Sequence, residues 1–243
     1  MNREVALLVS HAVSDITQTA AGPAHVKAMI LAAGRGERMR ELTDDRPKPL
    51  LRIGGETLIA RHLRRLHEAG IEDVVINLSY RGEQIRNTLG SESDWGQRLS
   101  YSDEGEPPLE TAGGIIAALP LLGPEPFLVV SADVYTDFDL ARLDLDTAEG
   151  VLMLVANPEH HSQGDFGLSA DGILTFEQPL QTFGGIAVLS PPIFEGWAPG
   201  RRPLRPVLEA AIRRGVLRGV FHDGVWSDVG TPERLAELER RVL

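Results

Sequence analysis

The stretch from Lys27 through Ala33 is strand-length, carries no polar side chain after its lysine, and runs directly into Gly34-Arg35-Gly36. An apolar run of this kind suits a strand buried on both faces, which belongs in a parallel sheet covered by helices. The glycine pair lets the backbone approach a ligand with no Cβ in the way, and its successive N–H groups can form an anion-binding concavity. The chain keeps the rhythm this junction sets. Residues 57–69 read as an amphipathic helix capped by Thr57 and stopped by Gly70, 73–77 as a second strand, and 81–89 as a helix. Residues 99–101, 111–122 and 127–130 continue as strand, helix and buried strand, with Thr111 as the helix cap. Such alternation implies βαβ units, hence an α/β fold with a mostly parallel central sheet flanked by helices.

The second half is less regular. Residues 151–155, 167–169, 173–176 and 185–189 are strand-like, and Asp171-Gly172 predicts a hairpin between the middle two. Residues 203–214 read as a helix, 216–221 as a strand, and 232–242 as a final helix capped by Thr231. Residues 1–26 join no such alternation, so residues 27–243 are expected to form the single folded domain.

Composition narrows the function classes. With no cysteine among 243 residues, a disulfide scaffold, a thiolate zinc site and a cysteine nucleophile are excluded, and a reducing cytoplasm is the expected setting. No apolar run approaches the ~20 residues of a membrane span. The formal net charge of −11 speaks against a nucleic-acid partner, which would require a basic footprint. It does not speak against small anions. Residues 27–52 hold seven Lys or Arg and four acidic residues, a local +3 inside a remainder of −14.

That local charge sits on the glycine turn. Arg35, Arg38 and Lys48, the last between Pro47 and Pro49, add cations to a backbone anion site. A dinucleotide fingerprint needs a third glycine where Met39 stands, and an acidic residue where Asn77 ends the second strand. A Walker A loop is absent. A tight turn with solvated arginines and a phosphate turn both remain open on these residues alone. Asp133 ends an apolar strand, and Asp228 lies in Trp226-Ser-Asp-Val-Gly-Thr231 ahead of a helix start. Each is a turn former or cap on its own. Together they suit Mg²⁺, which takes one or two carboxylates plus substrate phosphate oxygens. The adjacent His160-His161, with Asp165, make a poor metal pair.

The segment from Leu31 to Lys48, Leu-Ala-Ala-Gly-Arg-Gly-Glu-Arg-Met followed by Lys-Pro, resembles the signature of the sugar-1-phosphate nucleotidyltransferases. The resemblance extends from Lys27 to the C-terminus. It implies a Rossmann-like nucleotidyltransferase fold with a small antiparallel β insertion on the sugar side. It implies a nucleotide held by Leu31, Ala32, Ala33, Gly34 and Gly36, with the base near Asn77 and Gly113. It gives Arg38 and Lys48 the departing pyrophosphate, Asp133 and Asp228 a catalytic Mg²⁺, and Gly167, Glu177 and Gly185 the sugar. Leu109-Glu-Thr-Ala-Gly-Gly114 resembles the branch that transfers UMP from UTP to N-acetylmuramic acid α-1-phosphate, in peptidoglycan recycling. Glucose- or mannose-1-phosphate nucleotidyltransferases, a phosphocholine cytidylyltransferase and a non-catalytic nucleotide-sugar sensor are the alternatives.

Two departures from the family pattern matter. Ser131-Ala132 precede Asp133 where an Asn-Gly pair is common, and Glu177-Gln178-Pro179 stands where Glu-Lys-Pro is common. Gln178 brings no charge, so Arg201, Arg202 or Arg205 is the candidate for the acceptor phosphate. Family members begin one residue before the Lys27 equivalent, where Val26 stands. Residues 1–26 are therefore expected to be disordered or an artefact of a GTG start.

Overall fold

Burial on both faces of the strand that opens the pattern organises everything around it. In the computed structural model, which describes residues 26–242, the elements in chain order are β1 (Lys27–Leu31), β2 (Arg52–Ile53), β3 (Glu56–Thr57), α1 (Leu58–Glu68), β4 (Asp73–Leu78), α2 (Gly82–Leu89), β5 (Arg98–Asp103), α3 (Glu110–Leu122), β6 (Phe127–Ser131), β7 (Val134–Thr136), β8 (Gly150–Val155), β9 (Phe166–Leu168), β10 (Leu174–Thr175), β11 (Leu180–Leu189), α4 (Leu204–Arg213), β12 (Leu217–His222), β13 (Trp226–Asp228) and α5 (Pro232–Val242). The extension read over residues 1–26 lies, Val26 apart, outside the described residues.

Ala28 and Ile30 face one core with Ile59, Leu63 and Leu66 of α1. Met29, between them, faces a second core with Ala112, Ile115 and Ala118 of α3 and Val207, Leu208 and Ala211 of α4. The period-2 alternation of side chains thus feeds both faces of one sheet. β5, β4, β1 and β6 run parallel as neighbours. β11 then joins β6 antiparallel, and β8 and β12 follow on its other edge. The fold is α/β with a mostly parallel sheet between helices, and β9–β10 form the small antiparallel addition. Its turn is the expected one, with Gly172 N–H donating to the Ser169 carbonyl at 3.0 Å.

Several boundaries differ from expectation for identifiable reasons. β1 stops at Leu31, not Ala33, because the Ala32 N–H is taken by the Asn77 side chain at 2.7 Å instead of by a neighbouring strand. β11 starts at Leu180, not residue 185. Its first residues pair with β9 and its last with β6, and Gly185, at φ 78°, lies in the bulge where it changes partner. Thr111 does not cap α3. The helix begins at Glu110 with no side-chain cap, and the Leu109 N–H donates to Glu104 at 2.7 Å. Thr57 and Thr231 do cap, accepting from the N–H groups of Ala60 and Arg234 at 3.2 and 3.3 Å.

Two short ribbons carry no periodic signal and went unpredicted. β2–β3 turns through Gly54-Gly55, and β13 pairs antiparallel with β7. α5 buries Leu238 in a third core with Met39, Leu51, Ile53, Leu58 and Val229, docking the C-terminal helix beneath the glycine-rich turn. Among the described residues no helix is long and apolar enough to cross a membrane.

The α3 glycines let the helix lie against the loop that follows β5. A Cβ on Gly114 would stand 2.2 Å from Glu104 Oε1 and 2.9 Å from Asn77 Nδ2, atoms already hydrogen-bonded to each other. Gly114→Ala is therefore expected to cost about 1–3 kcal/mol, the range for overpacking a close-packed site. Thermal denaturation should show Tm falling by several degrees; an unchanged or raised Tm would contradict this packing.

Candidate active site

The chain winds from β1 to β4 and β5 on one side and returns to β6 on the other, so strand order reverses at β1. Ligands of open α/β sheets bind outside the carboxyl ends of the strands at such a reversal. Here that place holds the glycine turn. Gly36 sits at φ 68°, where a Cβ would press within 3.2 Å of Lys48. Gly34 faces open space. The turn leads into a 3-10 helix, Glu37–Thr43, anchored by the buried Met39. The residue before that anchor, Arg38, is exposed and has no hydrogen bond or ion pair among the described residues. Lys48 is 8% exposed, opens a short turn braced by Pro47 and Pro49, and donates from Nζ to Asp133 Oδ2 at 2.5 Å.

Two clefts meet at this ion pair. One, of about 650 Å³, is lined by residues 31–38, Lys48, Asn77 and Glu104. The other, of about 700 Å³, runs beneath β11, past Gly184 and Gly185, to the start of α4. Leu31, Arg38, Glu110, Thr111, Ser131 and Asp133 line both.

The β7–β13 ribbon brings the two aspartates together. Asp228 pairs in register with Val134, and the Val229 N–H donates to the Asp133 carbonyl at 2.8 Å. Each carboxylate has a cation beside it. Asp133 has Lys48, and Asp228 has Arg234 Nη1 at 2.5 Å, with His160 Nε2 at 3.2 Å. No group of three His, Cys, Asp or Glu with metal-binding geometry occurs among the described residues. Two carboxylates at the junction nonetheless suit a hard divalent cation that takes its remaining ligands from phosphate and water.

Asn77 is buried and works as a tie. Its Oδ1 accepts from Ala32 N–H, and its Nδ2 donates to Glu104 Oε1 at 2.6 Å. Gly113 lies behind the cleft wall: its N–H donates to the Arg202 carbonyl at 3.1 Å, while Glu110 and Thr111 form the lining. Gly185 lines the second cleft. Gly167 and Glu177 lie outside both linings, packed against each other through the Glu177 carbonyl, with the Glu177 side chain exposed. Of the three candidate arginines, Arg201 bonds Glu110 at 2.9 Å, Arg202 lies over the Trp197 ring, and Arg205 lines the second cleft. The adjacent histidines part company, His160 toward Asp228 and His161 toward Asp165 at 3.1 Å. Sequence reasoning missed Glu104 and Arg234. An acidic residue after an edge strand and an arginine in a terminal helix look like ordinary surface residues until the fold closes.

A parallel sheet with a glycine turn, a lysine–aspartate pair and two joined clefts defines a nucleotide-binding α/β protein. Residues 27–170 match the family described as Nucleotidyl transferase, and the chain belongs to that family. It is 46% identical to N-acetylmuramate alpha-1-phosphate uridylyltransferase from Neisseria meningitidis over 88% of this chain and 97% of that one. To the protein of the same description from Caulobacter vibrioides it is 35% identical, over 88% of this chain and 96% of that one. The crystal structure of HddC from Yersinia pseudotuberculosis complexed with GMP-PN superposes with a TM-score of 0.74 at 21% identity, covering 90% of this chain and all of that one.

Beneath the ion pair, His62 of α1 is buried, and its Nε2 has no hydrogen-bond partner. Burial first, then the neighbouring Arg65, lower its pKa from 6.5 to about 3, against the opposing pull of Asp133. The folded protein therefore keeps His62 neutral where the unfolded chain takes up a proton. This penalty is absent above about pH 6.5 and grows as pH falls toward 3, by about 1.4 kcal/mol per unit. Urea denaturation at pH 7 and pH 5 should show wild type losing roughly 2 kcal/mol more than His62→Gln. Equal losses would show that His62 is not the group responsible.

Proposed function

We propose that the chain transfers UMP from UTP to N-acetylmuramic acid α-1-phosphate, releasing pyrophosphate, as a step of peptidoglycan recycling in the cytoplasm. The observation that carries this reading is the pair of clefts meeting at Asp133, each of a size to hold one reactant. A transfer between two bound molecules needs both within reach of one charged centre, since much of the rate comes from positioning. The 46% identical relative supports the choice of nucleotide and acceptor.

In this reading UTP lies in the first cleft, its phosphates over the backbone of Ala32, Ala33, Gly34 and Gly36 and its base toward the Asn77–Glu104 wall. The acceptor enters the second cleft beside Gly185, and its phosphate oxygen attacks the α-phosphorus in line. One P–O bond forms as the bond to pyrophosphate breaks, with no covalent enzyme intermediate. Catalysis is then placement and charge neutralisation. Lys48, held at the junction by Asp133, and Arg38, uncommitted at the mouth of both clefts, meet the charge leaving with pyrophosphate. Asp133 and Asp228 are the residues that would hold Mg²⁺, which when bound supplies further neutralisation at the α-phosphate. Gly113 supports the base wall from behind, and Gly167 and Glu177 shape the loop at the far end of the acceptor cleft.

Pyrophosphate release tests this directly. UTP with N-acetylmuramate 1-phosphate should give the highest kcat/KM in a panel crossing UTP, CTP and GTP with N-acetylglucosamine, glucose and mannose 1-phosphates and phosphocholine. A higher value for GTP with mannose 1-phosphate would overturn the assignment, and UTP binding without turnover would indicate a sensor. Lys48→Ala and Arg38→Ala should each lower kcat by about 10²–10³. Near wild-type turnover in Asp133→Ala and Asp228→Ala would refute the metal assignment.

A further inference from the structure

The transfer chemistry leaves part of the second cleft unused. Beyond Asp228 its wall continues through His160 to His161, Asp165 and Arg205, the cluster that makes a poor metal pair. Asp165 is committed on both oxygens. Its Oδ2 accepts the Phe183 N–H at 2.9 Å where β11 crosses from β9 to β6, and its Oδ1 accepts from Arg205 Nη1 at 3.0 Å beside His161 Nε2 at 3.1 Å. One carboxylate, itself fixed to the sheet, thus brackets an arginine and a histidine side by side. Arg205 gives its Nε–H to Glu209 at 3.0 Å, so two of its five N–H donors are used. Both Nη2 donors and one on Nη1 have no partner among the described residues. Three donors therefore remain, enough for the two bonds a carboxylate takes, on a residue that lines the cleft.

A preorganised guanidinium fork of this kind matches a carboxylate through two parallel charge-assisted hydrogen bonds. The reacting phosphate of the acceptor belongs at the Asp133–Asp228 end. An anion bound at Arg205 is therefore a second one, carried elsewhere on the sugar. We propose that Arg205, with His161 beside it and Asp165 as the bracket, is a specificity subsite for a carboxylate substituent on the acceptor sugar. The inference rests on the acceptor reading above, in which that substituent is the ether-linked lactyl carboxylate of N-acetylmuramic acid. Sugars lacking the acid leave the fork unfilled, and a site built around hydrogen bonds discriminates strongly against a ligand that cannot make them.

The test compares N-acetylmuramic acid 1-phosphate with its lactyl amide, which removes the charge and keeps the shape. Wild type should favour the acid in kcat/KM by about 10–100-fold, carried mainly by KM. In Arg205→Met that ratio should collapse toward one, Arg205→Lys should fall between, and His161→Gln should reduce it partly. If wild type uses acid and amide equally and also prefers another sugar 1-phosphate, the acceptor reading fails. If wild type prefers the acid and Arg205→Met keeps the full ratio, or if acid and amide lose activity in parallel, the acceptor reading stands and the subsite is wrong. Circular dichroism and Tm matched to wild type show that the variants fold. Should Arg205→Met not fold, the Arg205→Lys ratio decides alone, an unchanged value overturning the proposal.

Discussion

One buried amide holds the glycine-turn side of this protein in shape. Asn77 bonds the first N–H after β1 and the Glu104 carboxylate, which in turn bonds the N–H that precedes α3. Three chain segments far apart in sequence are thereby locked around one side chain. Because a buried amide left with an unmade hydrogen bond costs about 1–3 kcal/mol, none of the three can drift without penalty to the other two. The glycine turn can remain open and lightly contacted, since its entry is fixed from outside.

Charge follows a similar division. The protein as a whole is strongly acidic, yet the carboxylates around the meeting point of the clefts each have their own cation: Lys48 for Asp133, Arg234 for Asp228 and Arg201 for Glu110. These pairings keep the junction balanced before any phosphate arrives. Any small anion that reaches the junction meets cations already in position, while the acidic exterior discourages large polyanions. A net charge excludes partners that read the whole surface and says little about ligands that read a turn.

The parallel sheet and most helices were legible because strands buried on both faces are continuous apolar runs, and amphipathic helices repeat at 3.6 residues. Caps at Thr57 and Thr231 followed from the same local chemistry, whereas Thr111 failed because Glu104, from another segment, took over the start of α3. Lys48 was readable as a cation between prolines, Asp133 as the end of an apolar run, and Asp228 as an acid ahead of a helix start. The ribbon that joins the aspartates was not, since strands of three residues have no period to detect. Gly113 and Gly185 show the remaining limit. Both glycines answer to close approach, but only the fold says whether the neighbour is another backbone or a cleft.

The same ribbon separates the making of the fold from the making of the site. By the end of β12 the nine-stranded sheet, the glycine turn, Lys48 and Asp133 all exist, and both main cores can close. Asp228 arrives only with β13, and Arg234 only with the helix after it. The sheet and the charged centre are therefore drawn from different stretches of the chain: the architecture is set by the elements up to β12, and the second half of the centre by the short segment that follows it.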